Sequence, residues 1–213
     1  MAIRTLDLFC GGGGSSWGAQ AAGAKIVWGV DAAPFAVSTY RRNFPKAKAV
    51  ETFLTEDTGP KDFPGLGKID LLLASPECTN HTCARGSRPR DEMSRLTARY
   101  VLNFARELRP RYVVIENVVS MRGWEGYKPL VDELEDLDYR VLPQVLDASD
   151  LGVPQKRRRL FLLCERWVMP RPVPLMASKP MTGRSVVDFS GRWASRPVTY
   201  GATIRTRVAR QSG

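Results

Sequence analysis

Four places in the 213-residue chain carry side chains or backbone whose type and spacing suit chemistry. Gly11 to Gly14 follow an apolar run, Ile3 to Phe9, and glycines there let the backbone approach a ligand closely. Asp31 ends the next apolar run, where a carboxylate can accept both hydroxyls of a ribose. These two describe a site for a nucleoside-containing cofactor. Gly11 and Gly13 are followed by Ser16, so the dinucleotide pattern G-x-G-x-x-G fails, and no P-loop lysine is present. A nucleoside lacking phosphate, such as S-adenosylmethionine, fits better. Cys78 follows a third apolar run on a polar loop, where a thiolate nucleophile would be accessible. Glu116 ends a fourth, and a carboxyl group among apolar neighbours would have its pKa raised and could donate a proton near neutrality. His81, the only histidine, has no second base beside it and reads as a loop residue touching substrate or solvent.

The elements that must hold these residues alternate. Strand character covers Ile3 to Phe9, Lys25 to Asp31, Ile69 to Ser75, Arg111 to Val118 and Arg157 to Glu165. Helical spacing covers the segment around Trp17 to Gly23, then Phe35, Val37, Tyr40 and Phe44 up to Pro45, then Arg95 to Leu108, and residues 127 to 137. Residues 46 to 68 are polar and broken by Gly and Pro, and Glu77 to Ser94 read as a long exposed loop. The order predicts an α/β fold: a doubly wound, mostly parallel sheet with helices on both faces, Rossmann-like, with ligands at the carboxyl ends of the strands. The expected division is a catalytic domain over 1–166 and a basic, irregular extension over 167–213, which has five prolines between Pro170 and Pro197.

Composition narrows the class. With 43% apolar and 25% charged residues the chain is neither collagen-like nor wholly disordered. No apolar stretch approaches the roughly 18 residues of a membrane helix, and Met1 to Ile3 lead straight into a strand, so a cytoplasmic protein without membrane association is expected. Four cysteines without a CxxC pair predict neither a disulfide framework nor a metal site, and Cys83 and Cys164 read as structural. The net charge of +10 is concentrated: the last 61 residues hold 13 basic and 2 acidic side chains. A neutral body with a basic end suits a protein that docks a polyanion on one face, although a solvated basic tail has the same composition.

The motifs resemble, in order, those of the cytosine carbon-5 DNA methyltransferases, from Thr5 to about Leu163. DLFCGGGGSSWGAQAAG resembles the first motif, which puts Asp7, Phe9, Gly11 and Gly13 in cofactor positions, and Asp31 with TYRRNFP resembles the second. Glu51 or Asp57 would supply the adenine contact of the third. SPECTNHT resembles the nucleophile motif, with Pro76 beside the cofactor and Cys78 as the attacking thiol. IENV resembles the Glu-Asn-Val motif, with Glu116 holding the base. VPQKRRRLFLL resembles the Gln-x-Arg-x-Arg motif, with Gln155 toward the nucleic acid, Arg157 positioning the nucleophile or backbone and Arg159 holding the base carbonyl.

The resemblance implies S-adenosylmethionine as cofactor, DNA as partner and a flipped cytosine as substrate, in a setting such as restriction-modification. Arg85, Arg88, Arg90 and Arg95 would lie on the loop that closes over the strand. Two departures stand out. The family's proline directly before the nucleophile is here Glu77, with Thr79 after it, and a carboxylate beside Cys78 should raise the thiol pKa. Neither a target-recognition domain nor the family's closing asparagine motif is recognisable, which leaves room for a second subunit supplying recognition. An impaired relative that binds nucleic acid or a partner, and an enzyme acting on RNA or a free nucleotide, are the competing readings.

Overall fold

The computed structural model describes residues 2–76, 93–175 and 181–187. Seven strands form one sheet: β1 (Arg4–Leu8), β2 (Lys25–Asp31), β3 (Lys48–Glu51), β4 (Leu71–Ala74), β5 (Tyr112–Asn117), β6 (Tyr139–Asp147) and β7 (Arg158–Arg166). Their spatial order is β3-β2-β1-β4-β5-β7-β6. The first five run parallel, while β7 is antiparallel to both β5 and β6. The chain therefore doubly winds outward from β1 and finishes in a hairpin whose second strand is inserted between β5 and β6. The helices are α1 (Gly14–Ala21), α2 (Pro34–Asn43), α3 (Met93–Leu108) and α4 (Tyr127–Asp136).

The predicted fold class is the one observed, with two strands added. Residues 46 to 68 contain β3, whose only apolar members are Ala49 and Val50, too few for an alternation to show. The stretch from Tyr139 contains β6, where Pro143 and Gln144 interrupt the pattern. Proline is tolerated because β6 lies at the edge of the sheet, where its missing N–H costs no ladder bond. Of the four residues at helical spacing, Val37, Tyr40 and Phe44 are buried, whereas Phe35, in the first turn of α2, is 87% exposed.

Two apolar cores sit on opposite faces. The larger joins Leu6, Leu8, Leu72, Val113, Ile115 and Leu162 to Val101, Phe104, Leu130 and Leu134 of α3 and α4. The smaller joins Ile26 and Ala49 to Val37, Tyr40 and Phe44 of α2. On this second face α1 and α2 pack against β1, β2 and β3. The other half of the same face, over β4, β5, β7 and β6, carries no helix among the described residues. Leu73 is buried there, but Leu71, Val114, Phe161 and Leu163 remain only half-buried. Gln144 partly edges this half: its side-chain amide donates to the Val173 carbonyl at 2.8 Å and accepts from the Val173 N–H at 2.8 Å.

Candidate active site

A cavity of about 750 Å³ opens on that uncovered half, at the carboxyl ends of β1, β4 and β5. Its first wall is the turn between β1 and α1. Here the backbone adopts left-handed conformations at Phe9 (φ 54°) and Gly11 (φ 52°), and an aromatic residue is held in that region only where the surroundings enforce it. Cys10 N–H donates to the Val30 carbonyl at 3.0 Å and Gly13 N–H to the Cys10 carbonyl at 2.9 Å, which enforces it. Asn43 secures the turn from α2 by donating to the Gly12 carbonyl at 2.7 Å. A methyl group added at Gly11, Gly14 or Gly18 would meet nothing within 4 Å, and all three line the cavity, so each leaves room for a ligand.

The expected cofactor residues divide into three groups. Phe9 and Gly11 line the cavity. Asp31 stands at the rim, where its Oδ2 accepts from Gly11 N–H and its Oδ1 from Ala33 N–H, both at 2.8 Å. Each oxygen keeps acceptor capacity toward a ribose. Glu51 pairs in register with Asp31 on the neighbouring strand, whereas the exposed Asp57 lies beyond the buried Leu54. Gly13 and Asp7 lie behind the turn and not in the cavity wall. Gly13 (φ 97°) packs under the Phe44 ring, and Asp7 is fully buried and accepts from Ser16 Oγ at 2.6 Å. Burial pushes the cavity-lining Cys10 thiol far above its ordinary range, so that sulfur is no nucleophile.

The second wall is the corner of β5, β6 and β7. Glu116 and Arg159 are diagonal neighbours across the β5–β7 pair, and Arg159 Nε lies 2.9 Å from Glu116 Oε1, with each side chain 23% exposed. The carboxylate sequence analysis placed among apolar neighbours thus has a guanidinium partner, and both groups line the cavity. Arg157 lines it too, but as an exposed outer side chain. Its backbone N–H donates to Asp147 Oδ1 at 3.0 Å, the same oxygen that accepts from Ser149 N–H at 3.1 Å and Ser149 Oγ at 2.9 Å. Those bonds hold the Asp147 carboxyl below the usual carboxylate range. Gln155 is exposed on the same loop.

Between the walls lies Pro76. It is buried, and its carbonyl accepts from the side-chain amide of Asn117 at 3.3 Å, while Asn117 Oδ1 accepts from Val118 N–H at 2.8 Å. Asn117, adjacent in sequence to Glu116, thereby ties the end of β5 to the chain two residues before Cys78. Sequence reasoning passed over Asn117, Asp147 and Asn43. A buried asparagine next to a strand-end acid was the available signal for the first. Glu77, Cys78, Thr79, His81, Cys83, Arg85, Arg88 and Arg90 lie outside the described residues, as does the Arg95 side chain.

The family model for C-5 cytosine-specific DNA methylases matches residues 3–179. The chain belongs to this family. Among curated relatives, the type II methyltransferase M.XorII of Xanthomonas oryzae pv. oryzae is 32% identical, over 94% of the chain and 53% of its own length. M.AquIA of Picosynechococcus, another type II methyltransferase, is 27% identical, over 90% of the chain and 84% of its own length. The chain thus spans about half the length of the first relative but most of the second. The crystal structure of Schizosaccharomyces pombe Dnmt2 superposes with a TM-score of 0.65 at 23% identity, covering 80% of this chain and 52% of that one, which shows a shared fold. No helix among the described residues is long and apolar enough to cross a membrane.

Proposed function

We propose that the chain transfers a methyl group from S-adenosylmethionine to carbon 5 of cytosine in DNA, through a transient bond between Cys78 and carbon 6 of the ring. The observation that carries this reading is that one cavity has the glycine turn, hydrogen-bonded at Gly11 by the Asp31 carboxylate, in one wall and the Glu116–Arg159 pair in the other. Its volume lies within the range of small-molecule sites, roughly 300–1,000 Å³. The residues present suit the cofactor. Open glycine positions leave space against the backbone, and Asp31, bonded to Gly11, offers acceptors beside the turn. When bound, S-adenosylmethionine supplies a methyl group on a positively charged sulfur.

The chain's own groups would do the remaining work. Carbon 5 of cytosine is a weak nucleophile until a thiolate adds at carbon 6. Addition by Cys78 pushes electron density toward carbon 5, which then takes the methyl group. Loss of the carbon 5 proton and departure of the thiolate restore the ring. As the thiolate adds, negative charge grows on the far edge of the base. Glu116 would hold ring nitrogen 3 and the amino group there, and Arg159, already fixed by Glu116, would face the carbonyl. Asn117, through Pro76, supports the strand end from which the nucleophile loop departs. An interior site cannot be reached by a stacked base, so the nucleotide must leave the duplex, at a cost of a few kcal/mol. The exposed Arg157 at the cavity wall, next in sequence to the exposed Lys156 and Arg158, suits the phosphates that anchor it.

We place the catalytic unit at 1–166 and regard 167–213 as a basic extension. The half-buried apolar half-face over β4, β5 and β7, together with the length of M.XorII, supports a covering segment that also reads the target sequence, for which we propose a second subunit. The test is transfer of radiolabelled methyl from S-adenosylmethionine to mixed-sequence DNA, followed by nucleoside analysis. 5-Methylcytosine should form, and Cys78→Ala should abolish it. If the chain binds DNA yet transfers nothing, even with its natural partner, it is a binding subunit. Label found only in RNA or in a free nucleotide replaces the DNA assignment.

A further inference from the structure

The underside of the glycine turn has no part in the chemistry proposed above, yet it holds a buried carboxyl group with one oxygen unpartnered. Asp7 lies on the same sheet face as the cavity, in register with Leu73, which lines the cavity wall. It is 0% exposed. Its Oδ2 accepts from Ser16 Oγ, which itself lies 2.6 Å from the Tyr40 hydroxyl, while Oδ1 has no hydrogen-bond partner. The titratable groups that face it are the Cys10 thiol, the Tyr40 hydroxyl from α2 and, at longer range, the Asp31 carboxylate from β2. From β4 it meets only leucine. None of the ion pairs among the described residues involves Asp7. Burial, opposed by the Ser16 hydrogen bonds and aided by Asp31, pushes its carboxyl up to about 7. Cys10 and Tyr40 are pushed upward as well and stay neutral.

A buried acid with no cation, beside a cavity whose proposed occupant changes charge during the reaction, is an electrostatic partner in waiting. We infer that Asp7 is the counter-charge for a cationic ligand in this cavity and lets the site distinguish the sulfonium donor from the neutral thioether left after methyl transfer. This rests on the S-adenosylmethionine reading. The physical basis is reciprocal linkage. A positive charge in the cavity favours ionised Asp7, and ionised Asp7 favours the positive charge. With the proton on, the site treats the two ligands alike. With the proton off, it prefers the donor and releases the spent product.

The full-length chain is titrated calorimetrically with S-adenosylmethionine and with S-adenosylhomocysteine from pH 5.5 to 8.5. Preference for the donor should rise with pH by roughly three- to tenfold more in the wild type than in Asp7→Asn, where the variant subtracts any titration of the ligands themselves. A second measurement needs no variant: the side-chain carboxyl of Asp7, followed by ¹³C NMR in the wild type, should titrate at lower pH with the donor bound than with the product bound. Equal slopes in wild type and variant, or equal midpoints in the two complexes, overturn the inference. Failure of both ligands to bind at any pH overturns the cofactor reading and the inference with it.

Discussion

The glycine-turn wall of the cavity is made of backbone and held from beneath by fully buried polar groups, whereas the arginine wall is made of partly exposed charges held at the rim by two carboxylates. On the first side Asp7, Ser16 and Tyr40 are fully buried and Gly13 has no room for a side chain. On the second, Arg159 and Glu116 meet solvent and Arg157 is exposed. Burial makes volume and charge expensive to change, so substitutions at the first wall should act on folding before they act on function. Screening makes the second wall forgiving of stability, so substitutions there should act on turnover.

The largest effect should come from Gly13→Ala. The new methyl group would overlap the Phe44 ring at Cε2, on a residue already at φ 97°. Both penalties act on the folded state, and denaturant unfolding should show a loss of about 3–5 kcal/mol. Gly14→Ala, one residue on, meets nothing within 4 Å and lies inside α1, so it should leave stability unchanged or slightly raised and weaken only the cofactor. Equal losses at the two glycines would show that the turn is not held from its underside.

Asp7→Asn comes next and has a sign that depends on pH. The folded-state pKa lies above the ordinary carboxylate value, so the native state binds the extra proton. The penalty for burying the charge grows as pH rises from about 4 to about 7 and is complete above that, amounting to at most about 4 kcal/mol. The variant should therefore gain stability over the wild type at pH 8 that it lacks at pH 5, read as thermal midpoints at the two values. A difference that is the same at both would mean Asp7 is already paired.

At the opposite wall, Glu116→Gln removes the partner of Arg159 without changing its shape. Thermal stability should shift little, because the pair is partly solvated. Cofactor affinity, set at the other end of the cavity, should hold. Turnover should fall by about 10²-fold or more. Unchanged turnover would remove Glu116 from the reaction and leave the two walls without the division of labour argued above.

The same contrast governs how far the amino-acid sequence could be read. The glycine turn, Asp31, Cys78 and Glu116 stand out because each ends a continuous apolar run, and four of the five parallel strands stand out for the same reason. The fifth, β3, has two apolar residues in four, below what periodicity can register. β6 was hidden because an edge strand tolerates Pro143, which with Gln144 breaks its apolar run in the middle. Without β6 the hairpin could not be seen, and so neither could the antiparallel insertion of β7. That Gly13 and Asp7 stand behind the cavity wall and not in it was illegible for a different reason. A motif says which residues gather at a turn, but only packing says which side of the turn each one faces.

The smallest effect should come from Asp147, and it tests whether the arginine wall has any internal order of its own. All three donors, Ser149 N–H, Ser149 Oγ and Arg157 N–H, converge on one oxygen, Oδ1. An asparagine can present that same acceptor, so Asp147→Asn should keep the β6–β7 loop and near-normal DNA binding. Asp147→Ala loses the acceptor and should raise the KM for DNA several-fold, with a thermal midpoint only slightly lowered. The charge adds a pH signature. Because the folded-state pKa lies below the ordinary value, the stabilisation is present above about pH 4 and is lost as pH falls through the folded value. Asp147→Asn should show a smaller loss of stability on acidification than the wild type. If alanine and asparagine behave alike in DNA binding, Arg157 is positioned by the strand ladder alone, and the second wall is as much a backbone construction as the first.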